Sequence, residues 1–310
     1  MSWLLFGMRC HFHTRNVGQG QPAWLYLFWK FHQAFFRILQ NNAIDWRNDQ
    51  PMKNLFLLIA VGITSASAAD LPGWKLVWSD EFDKPGLPDP AKWSYETGML
   101  RNREKQFYTK DRENARVEDG HLIIEARKEK REKGDYTSAS LNTKGHGDWT
   151  YCRVEVKAKI PAARGTWPAI WMLPGDIGKV GWPKCGEIDI MEHVGYDPAI
   201  IHGTLHTEAN NHMKHNQRSG KVTVPTFATE FHTYSMEWTA DRISIEMDGK
   251  VYGTFEKKTG DGVAQWPFDK PFYLILNLAV GGDWGGVKGI DTAAFPQRME
   301  VDFVRVYQKK

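Results

Sequence analysis

From residue 74 onward, hydrophobic and polar residues alternate in short runs, which is the pattern of β-strands with one buried face. Between residues 151 and 160, apolar side chains occupy every second position and charged side chains occupy most positions between them. A second alternating segment, residues 242–255, is interrupted by Asp248-Gly249, a dipeptide typical of a tight β-hairpin turn. These patterns predict antiparallel strands that are buried on one side.

Six further segments also read as strands: 121–127, 136–143, 200–207, 231–238, 272–280 and 299–307. No segment after residue 70 shows a long helical periodicity, and no internal repeat or flexible linker divides this region. Many short strands without helices predict an all-β fold in which two antiparallel sheets pack as a β-sandwich or jelly roll. Residues 70–310 are therefore expected to form one domain, large for a sandwich but acceptable.

The segment 52–69 has the composition of a secretory signal peptide. It begins with a basic residue, Lys53, continues with an apolar run, and ends in small residues, with cleavage expected near Ala68 or Ala69. The apolar run is too short to span a bilayer, so the protein is expected to be secreted, either extracellular or periplasmic. Because a signal peptide should begin a chain, Met52 is interpreted as the true start, and residues 1–51 are interpreted as a non-native or disordered upstream extension that packs little against the rest. The alternative is that residues 24–39 form an interfacial or membrane segment.

Net charge indicates which partners to expect, and the cysteine content bears on disulfide formation. The formal net charge is +3, but residues from 70 onward carry 34 basic and 35 acidic side chains, so this region is nearly neutral. A nucleic-acid or polyanion partner is therefore not expected. No protein partner is implied, and a monomer is expected. After signal cleavage only Cys152 and Cys185 remain, for which free buried thiols are favoured over a disulfide.

Three carboxylates stand close together in an apolar, strand-like run. Glu187 and Asp189 point to the same face of a regular strand, whereas Glu192 points to the other face. A β-bulge near Ile190 or Met191 would return Glu192 to the shared face, and bulges are common beside active sites. Two carboxylates placed across a bond are what glycosidic hydrolysis requires. The alternative is an edge strand whose acids are simply solvated.

Several sequence blocks resemble glycoside hydrolases of family 16, in particular the laminarinase (endo-β-1,3-glucanase) group. The matching stretches are 78–82, 102–108, 165–173, 182–195, 202–206 and 277–284. The resemblance covers nearly all of residues 70–310 and implies a concanavalin A-like jelly roll with a concave substrate cleft. It also implies a retaining mechanism with Glu187 as nucleophile, Glu192 as general acid/base and Asp189 as their assistant, without a cofactor for the chemistry.

The spacing of the acidic motif favours one branch of the family. Lichenases and xyloglucan-acting members resemble a motif that is one residue shorter, whereas the additional Met191 is the mark of the laminarinase-like branch. A β-1,3-glucan is therefore the expected substrate. Mixed-linkage β-1,3/1,4-glucan and a galactan such as agarose remain alternatives. A non-catalytic β-glucan-binding protein is disfavoured because all three acids are intact.

The resemblance also implies a set of sugar-binding residues. Indole faces suit the apolar faces of pyranose rings, although a tryptophan in a sandwich is as often part of the core. Trp171 is expected closest to the scissile sugar, and His206 is expected near the acid/base. Position 103 is arginine where the family often has asparagine, which puts that contact in doubt. The implied residues are Arg101, Asn102, Glu104, Trp167, Trp171, His206 and Trp284.

The sequence contains candidate ligands for two kinds of metal site. His202 and His206, with His193, His212 and His215 nearby, suggest zinc, but regular ligand spacing and paired cysteines are missing. Calcium is favoured over zinc, because similar enzymes hold a structural Ca²⁺ away from the cleft with oxygen ligands. The matching positions are Glu81, the Gly120 carbonyl and Asp302; the alternative is that these acids face solvent.

Overall fold

Two antiparallel sheets make up most of residues 71–310, the part of the chain that this computed structural model describes. Strands are numbered in chain order. The first sheet contains β1 (Trp74–Asp80), β4 (Ala115–Glu118), β5 (His121–Ala126), β9 (Arg153–Lys159), β14 (His232–Trp238), β15 (Arg242–Met247), β16 (Lys250–Glu256) and β18 (Gln297–Lys309). Its strand order is β16-β15-β14-β9-β18-β5-β4, with β1 paired to β18.

The second sheet carries the acidic motif. It contains β2 (Ser94–Glu96), β7 (Ser140–Asn142), β8 (Asp148–Trp149), β10 (Thr166–Pro174), β11 (Glu187–Glu192), β12 (Ile200–His206), β13 (Arg218–Thr223) and β17 (Phe272–Val280). Its order is β13-β12-β11-β10-β17-β7-β2, with β8 paired to β17. The strand β11 is therefore central, flanked by β10 and β12. Outside these sheets lie the parallel pair β3 (Gln106–Tyr108) and β6 (Tyr136–Ser138), α1 (Ile177–Val180), α2 (Gly282–Gly285), and 3-10 turns at His212–Lys214 and Thr292–Ala294.

The predicted two-sheet sandwich is confirmed. In β9 the burial alternates residue by residue, as the alternation of apolar and charged positions predicts. Asp248 and Gly249 both have a positive φ, 49° and 75°, so they form the tight turn between β15 and β16. The predicted single strand 136–143 is wrong, because its two halves pair with different strands. The first half pairs with β3, and the second half pairs with β17 and β2.

The main hydrophobic core contains inward-facing residues of both sheets. Ile188, Ile190 and Met191 of β11 are fully buried in it, which anchors the acidic strand to the core. Cys152 and Cys185 are both buried and unbridged, so the prediction of free thiols is confirmed. Burial raises the pKa of Cys185 to about 11, so this thiol is protonated at neutral pH.

The expectations for residues 1–51 and 52–69 lie outside the described residues. Within residues 71–310, no helix is both long enough and apolar enough to cross a membrane.

Candidate active site

A β-bulge in β11 brings the three carboxylates of the motif to one face. Against β10, Asp189 pairs with Trp171 and Met191 pairs with Ile170, so Ile190 has no partner. Against β12, the register also shifts between Asp189 and Glu192. Because Ile190 and Met191 are both buried, Glu192 returns to the side of Glu187 and Asp189.

Burial raises the pKa of all three acids. The pKa of Glu187 rises to about 8, chiefly because of desolvation and then because of the charge of Glu192. Desolvation raises the pKa of Glu192 to about 7. The pKa of Asp189 is raised well above its usual value by burial and by the charges of both glutamates. The three carboxyl groups therefore share protons at neutral pH and do not all ionise together.

Asp189 is the acid best suited to stay neutral. It is 2% exposed, and its pKa is raised further because it can donate a hydrogen bond to Glu187. The burial of Asp189 favours a neutral carboxyl group that acts on Glu187, because a third buried charge would repel the other two.

The surroundings distinguish the two glutamates. The positive charge of Arg101 and the nearby donor groups of Trp182 and Asp189 lower the pKa of Glu187 and so favour its ionised form. Within residues 71–310, Glu192 receives one stabilising contact of this kind, a hydrogen bond of 3.0 Å from Trp167 Nε1. The repulsion that raises the pKa of Glu187 disappears when Glu192 carries a proton. The pKa of Glu187 is the higher of the two only while Glu192 is charged, so the contacts of Glu187 favour the arrangement in which Glu187 is ionised and Glu192 carries the proton.

Residues 102–305 match the model of the glycosyl hydrolases family 16. The chain belongs to this family. A beta-glucanase of Rhodothermus marinus is 52% identical over 264 residues, covering 82% of this chain and 92% of that protein. The enzyme described here is therefore a glycoside hydrolase, and members of this family need no cofactor for the chemistry.

Two solved structures of family 16 enzymes are also similar. The laminarinase of Rhodothermus marinus superposes with a TM-score of 0.75 at 52% identity, covering 76% of this chain and 98% of that one. A variant of a non-specific endo-β-1,3(4)-glucanase, with 1,3-β-D-cellobiosyl-glucose at its active site, gives a TM-score of 0.74 at 49% identity. That match covers 78% of this chain and 97% of the other. The jelly-roll architecture of this family 16 enzyme is thus shown by close structural matches.

Half-buried tryptophans flank the acids of the family 16 site on two sides. The Trp167 ring meets the Trp284 ring edge-on at 5.5 Å, on the side of Glu192. Trp182 lies on the side of Glu187, 5.8 Å from the His206 ring. These indoles leave surface free for sugar rings above the carboxylates.

Trp171 is more deeply buried than expected for the tryptophan closest to the scissile sugar. It is 8% exposed, its Nε1 donates to Asn277 Oδ1 at 2.7 Å, and the Arg101 guanidinium lies 4.9 Å from its ring centre. The guanidinium also forms an ion pair with Glu96. Trp171 therefore supports the base of the site beside Asp189 and offers little surface to a sugar.

The loop before β3 is divided between exposed and buried residues. Asn102 is exposed and therefore accessible to a ligand, but Glu104 is 5% exposed and accepts a 2.6 Å hydrogen bond from Gln106 Nε2. The predicted sugar contact of Glu104 is not supported, because its carboxylate belongs to this buried network. Arg103, which replaces the usual asparagine, forms an exposed ion pair with Asp283 beside Trp284.

His206 was expected near the acid/base, Glu192, but it lies beside Glu187. It pairs with Glu187 across β11 and β12, and its Nε2 lies 3.9 Å from Glu187 Oε1 and 3.4 Å from Asp189 Oδ2. Burial and the charge of His212 lower the pKa of His206 to about 4, so its ring is neutral. The residue opposite Glu192 is His202, which the sequence suggested only as a zinc ligand.

Among residues 71–310, the group that could hold a metal is Glu187, Asp189 and His206, whose ligand atoms lie within 4.8 Å of one another. The histidines weighed as zinc ligands do not form such a group there. Trp182 opens the sequence block that contains the three acids, and it lies beside Glu187 although the resemblance did not place it in the cleft. The position of His202 depends on strand register and carried no sequence signal.

The three residues implied for calcium have suitable oxygen donors, but both carboxylates face cations. Glu81 accepts two hydrogen bonds from Arg305, at 2.9 and 2.7 Å. Asp302 lies 2.8 Å from Lys157 Nζ. A calcium ion would therefore have to take these carboxylates from their partners.

Proposed function

We propose that this family 16 enzyme is an endo-acting β-1,3-glucanase of the laminarinase type that cleaves with retention. The observation that carries the proposal is the bulged strand, on which Arg101 favours the ionised form of Glu187, whereas no cation in the described part of the chain does so for Glu192. The similarity to a beta-glucanase and to a laminarinase supports the substrate class. Endo-action is inferred from a similar structure, that of a non-specific endo-β-1,3(4)-glucanase.

The mechanism has two displacements. In the first, the Glu187 carboxylate attacks the anomeric carbon, the glycosidic C–O bond breaks, and Glu192 gives its proton to the leaving oxygen. A covalent glycosyl-enzyme ester forms on Glu187. In the second, Glu192 takes a proton from a water molecule, whose oxygen attacks the same carbon and releases Glu187. Two inversions give net retention.

Neighbouring groups prepare Glu187 for this role. Arg101 stabilises its negative charge, and a neutral Asp189 can donate a hydrogen bond to it. Burial raises the pKa of Glu192 to about 7, so a large fraction of the enzyme carries at neutral pH the proton that the first step needs. Glu192 loses its proton in the first step and regains one in the second, and a pKa near neutrality allows both transfers.

The tryptophans on both sides of the acids suit a chain of glucose units rather than a single sugar. A mixed-linkage β-1,3/1,4-glucan is the second candidate substrate, because a 49% identical structure is that of a non-specific endo-β-1,3(4)-glucanase. Galactan hydrolysis is a more distant alternative, and glucan binding without catalysis is the least favoured.

The product profile on laminarin, lichenan and agarose tests the proposal. We expect laminarin to be cut to a mixture of oligosaccharides at the highest kcat/KM, lichenan more slowly, and agarose not at all. The Glu187→Ala variant should bind laminarin but not hydrolyse it. Faster hydrolysis of lichenan than of laminarin would favour a mixed-linkage β-1,3/1,4-glucanase. Cleavage of agarose alone would overturn the glucanase proposal.

Three further expectations belong to the same proposal. The leader-like composition of residues 52–69 supports export, and N-terminal sequencing of material from the medium or periplasm tests it. A near-neutral body without an implied protein partner supports a monomer, which light scattering tests. A calcium ion held by Glu81, the Gly120 carbonyl and Asp302 would be structural, since these residues are separate from the acids on β11.

A further inference from the structure

The bulge in β11 leaves a backbone carbonyl that a side chain of the opposite sheet satisfies. Ile190 has no Cα partner in the register with β10 or with β12. Its carbonyl oxygen accepts a hydrogen bond from the hydroxyl of Tyr252. Tyr252 lies on β16, an edge strand of the sheet that does not carry the acids. The Tyr252 hydroxyl therefore connects one sheet to the β-bulge of the other sheet.

Two glycines make room for this tyrosine. Gly203 of β12 faces the bulge, between the residues paired with Asp189 and Glu192, and a Cβ there would lie 2.9 Å from Tyr252 Cε2. A Cβ on Gly220 of β13 would lie 2.1 Å from the Tyr252 carbonyl oxygen. The ring thus occupies space that a side chain at Gly203 would fill.

The orientation of Glu192 depends on the bulge. A regular strand would turn Glu192 toward the core, because side chains alternate and a slip of one residue exchanges the faces. Tyr252 donates to the carbonyl of the residue that creates the extra step. Burial raises the pKa of Tyr252 well above its usual value, so its hydroxyl keeps the proton that it donates.

We propose that Tyr252 is a positioning residue for the general acid/base, which holds the Ile190 bulge so that Glu192 faces Glu187. This inference rests on the proposed roles of the two glutamates. Tyr252 itself touches neither substrate nor reacting atoms, and it acts through the backbone of β11. Its loss should therefore disturb proton donation more than substrate binding.

The matched pair of variants is Tyr252→Phe and Tyr234→Phe. Tyr234 is also buried in the core, but its hydroxyl has no hydrogen-bond partner in residues 71–310. Tyr252→Phe should lower kcat on laminarin about tenfold or more, because small misplacements of catalytic groups are costly, while KM changes less than about twofold. Tyr234→Phe should keep the wild-type kcat.

An activated aryl β-glucoside oligosaccharide separates positioning from general damage. Its leaving group needs no proton, so the glycosyl-enzyme forms without Glu192. Tyr252→Phe should form the glycosyl-enzyme from this substrate at nearly the wild-type rate, measured as a burst of phenol. If Tyr252→Phe damaged the whole active site, it would lose the burst as well as laminarin hydrolysis. That result would overturn the proposal.

Gly203→Ala provides a second route if Tyr252→Phe does not fold. It keeps the hydroxyl but displaces the ring, and the same selective loss of laminarin hydrolysis is expected. Unchanged kcat in either folded variant would overturn the inference. Glu192→Ala serves as the reference for the proposed function: if it hydrolyses laminarin normally, the assignment of Glu192 fails, whereas if it fails as expected and the Tyr252 variant does not, only the positioning role is wrong.

Discussion

The indole Nε1 of Trp167 donates a hydrogen bond of 3.0 Å to Glu192 Oε1. It is the contact that lowers the pKa of Glu192, whereas burial raises that pKa to about 7. Trp167 therefore has two functions in the proposed mechanism. It forms one wall of the site, and it limits how far burial raises the pKa of the acid/base.

Trp167→Phe should move the basic limb of the kcat/KM profile to higher pH. The hydrogen bond stabilises the ionised form of Glu192, so its removal raises the pKa and keeps the acid protonated over a wider range. A shift of roughly half to one pH unit is expected. The profile on laminarin between pH 5 and 10 measures it.

Trp284→Phe is the control, because Trp284 contacts the Trp167 ring but makes no hydrogen bond to Glu192 in the described residues. It should weaken laminarin binding without moving the basic limb. Equal shifts in both variants would mean that aromatic surface, rather than the hydrogen bond, controls the pKa of Glu192.

Replacing Asp189 by asparagine and by alanine should distinguish the contribution of its hydrogen-bond donor from that of its size. Asp189→Asn keeps a donor toward Glu187, so we expect less than about a tenfold loss of kcat. Asp189→Ala removes the donor that lowers the pKa of Glu187, so that pKa rises and the acidic limb of the profile moves to higher pH. Paired pH profiles test this. A larger loss in the asparagine variant would show that the charge of Asp189 is needed.

Added calcium should stabilise the enzyme modestly. The carboxylates of Glu81 and Asp302 are about one-third exposed, and ion pairs with such exposure are weak, so calcium can compete for them. Millimolar calcium should raise the Tm by a few degrees. Glu81→Gln should abolish that rise. A Tm of the wild type that does not respond to calcium would show that Arg305 and Lys157 keep the two carboxylates.

Local patterns in the sequence predict much of this molecule. The alternation in residues 153–159 and the Asp248-Gly249 turn correspond to β9 and to the β15–β16 hairpin. The bulge was predictable because Glu192 is out of phase with Glu187 in a strand of period two. Each of these features depends on residues that are close together in the chain.

Features that depend on register between distant segments were not predictable. The places of His202 and His206 follow from how β12 pairs with β11, and single-sequence alternation does not specify that register. Glu104 has the polarity of a sugar ligand, but Gln106 and Tyr108 enclose it. Tyr252 looks like an ordinary alternating residue, and only the packing of one sheet on the other brings it to Ile190.

The stereochemistry of azide products should assign the two glutamates. In Glu187→Ala the nucleophile is missing and a cavity remains, so azide can attack the anomeric carbon directly. One displacement gives a glycosyl azide of inverted, α configuration. Proton NMR of the product measures it, with wild-type enzyme plus azide as the control.

Glu192→Ala should give the opposite stereochemistry. A substrate with a good leaving group still forms the ester on Glu187 without a proton donor, and azide then attacks that ester. Two displacements give a glycosyl azide of retained, β configuration. Exchanged configurations in the two variants would require exchanging the roles of Glu187 and Glu192. Full activity of both variants on laminarin without azide would contradict the two-carboxylate mechanism, because each variant lacks one of the two groups that it needs.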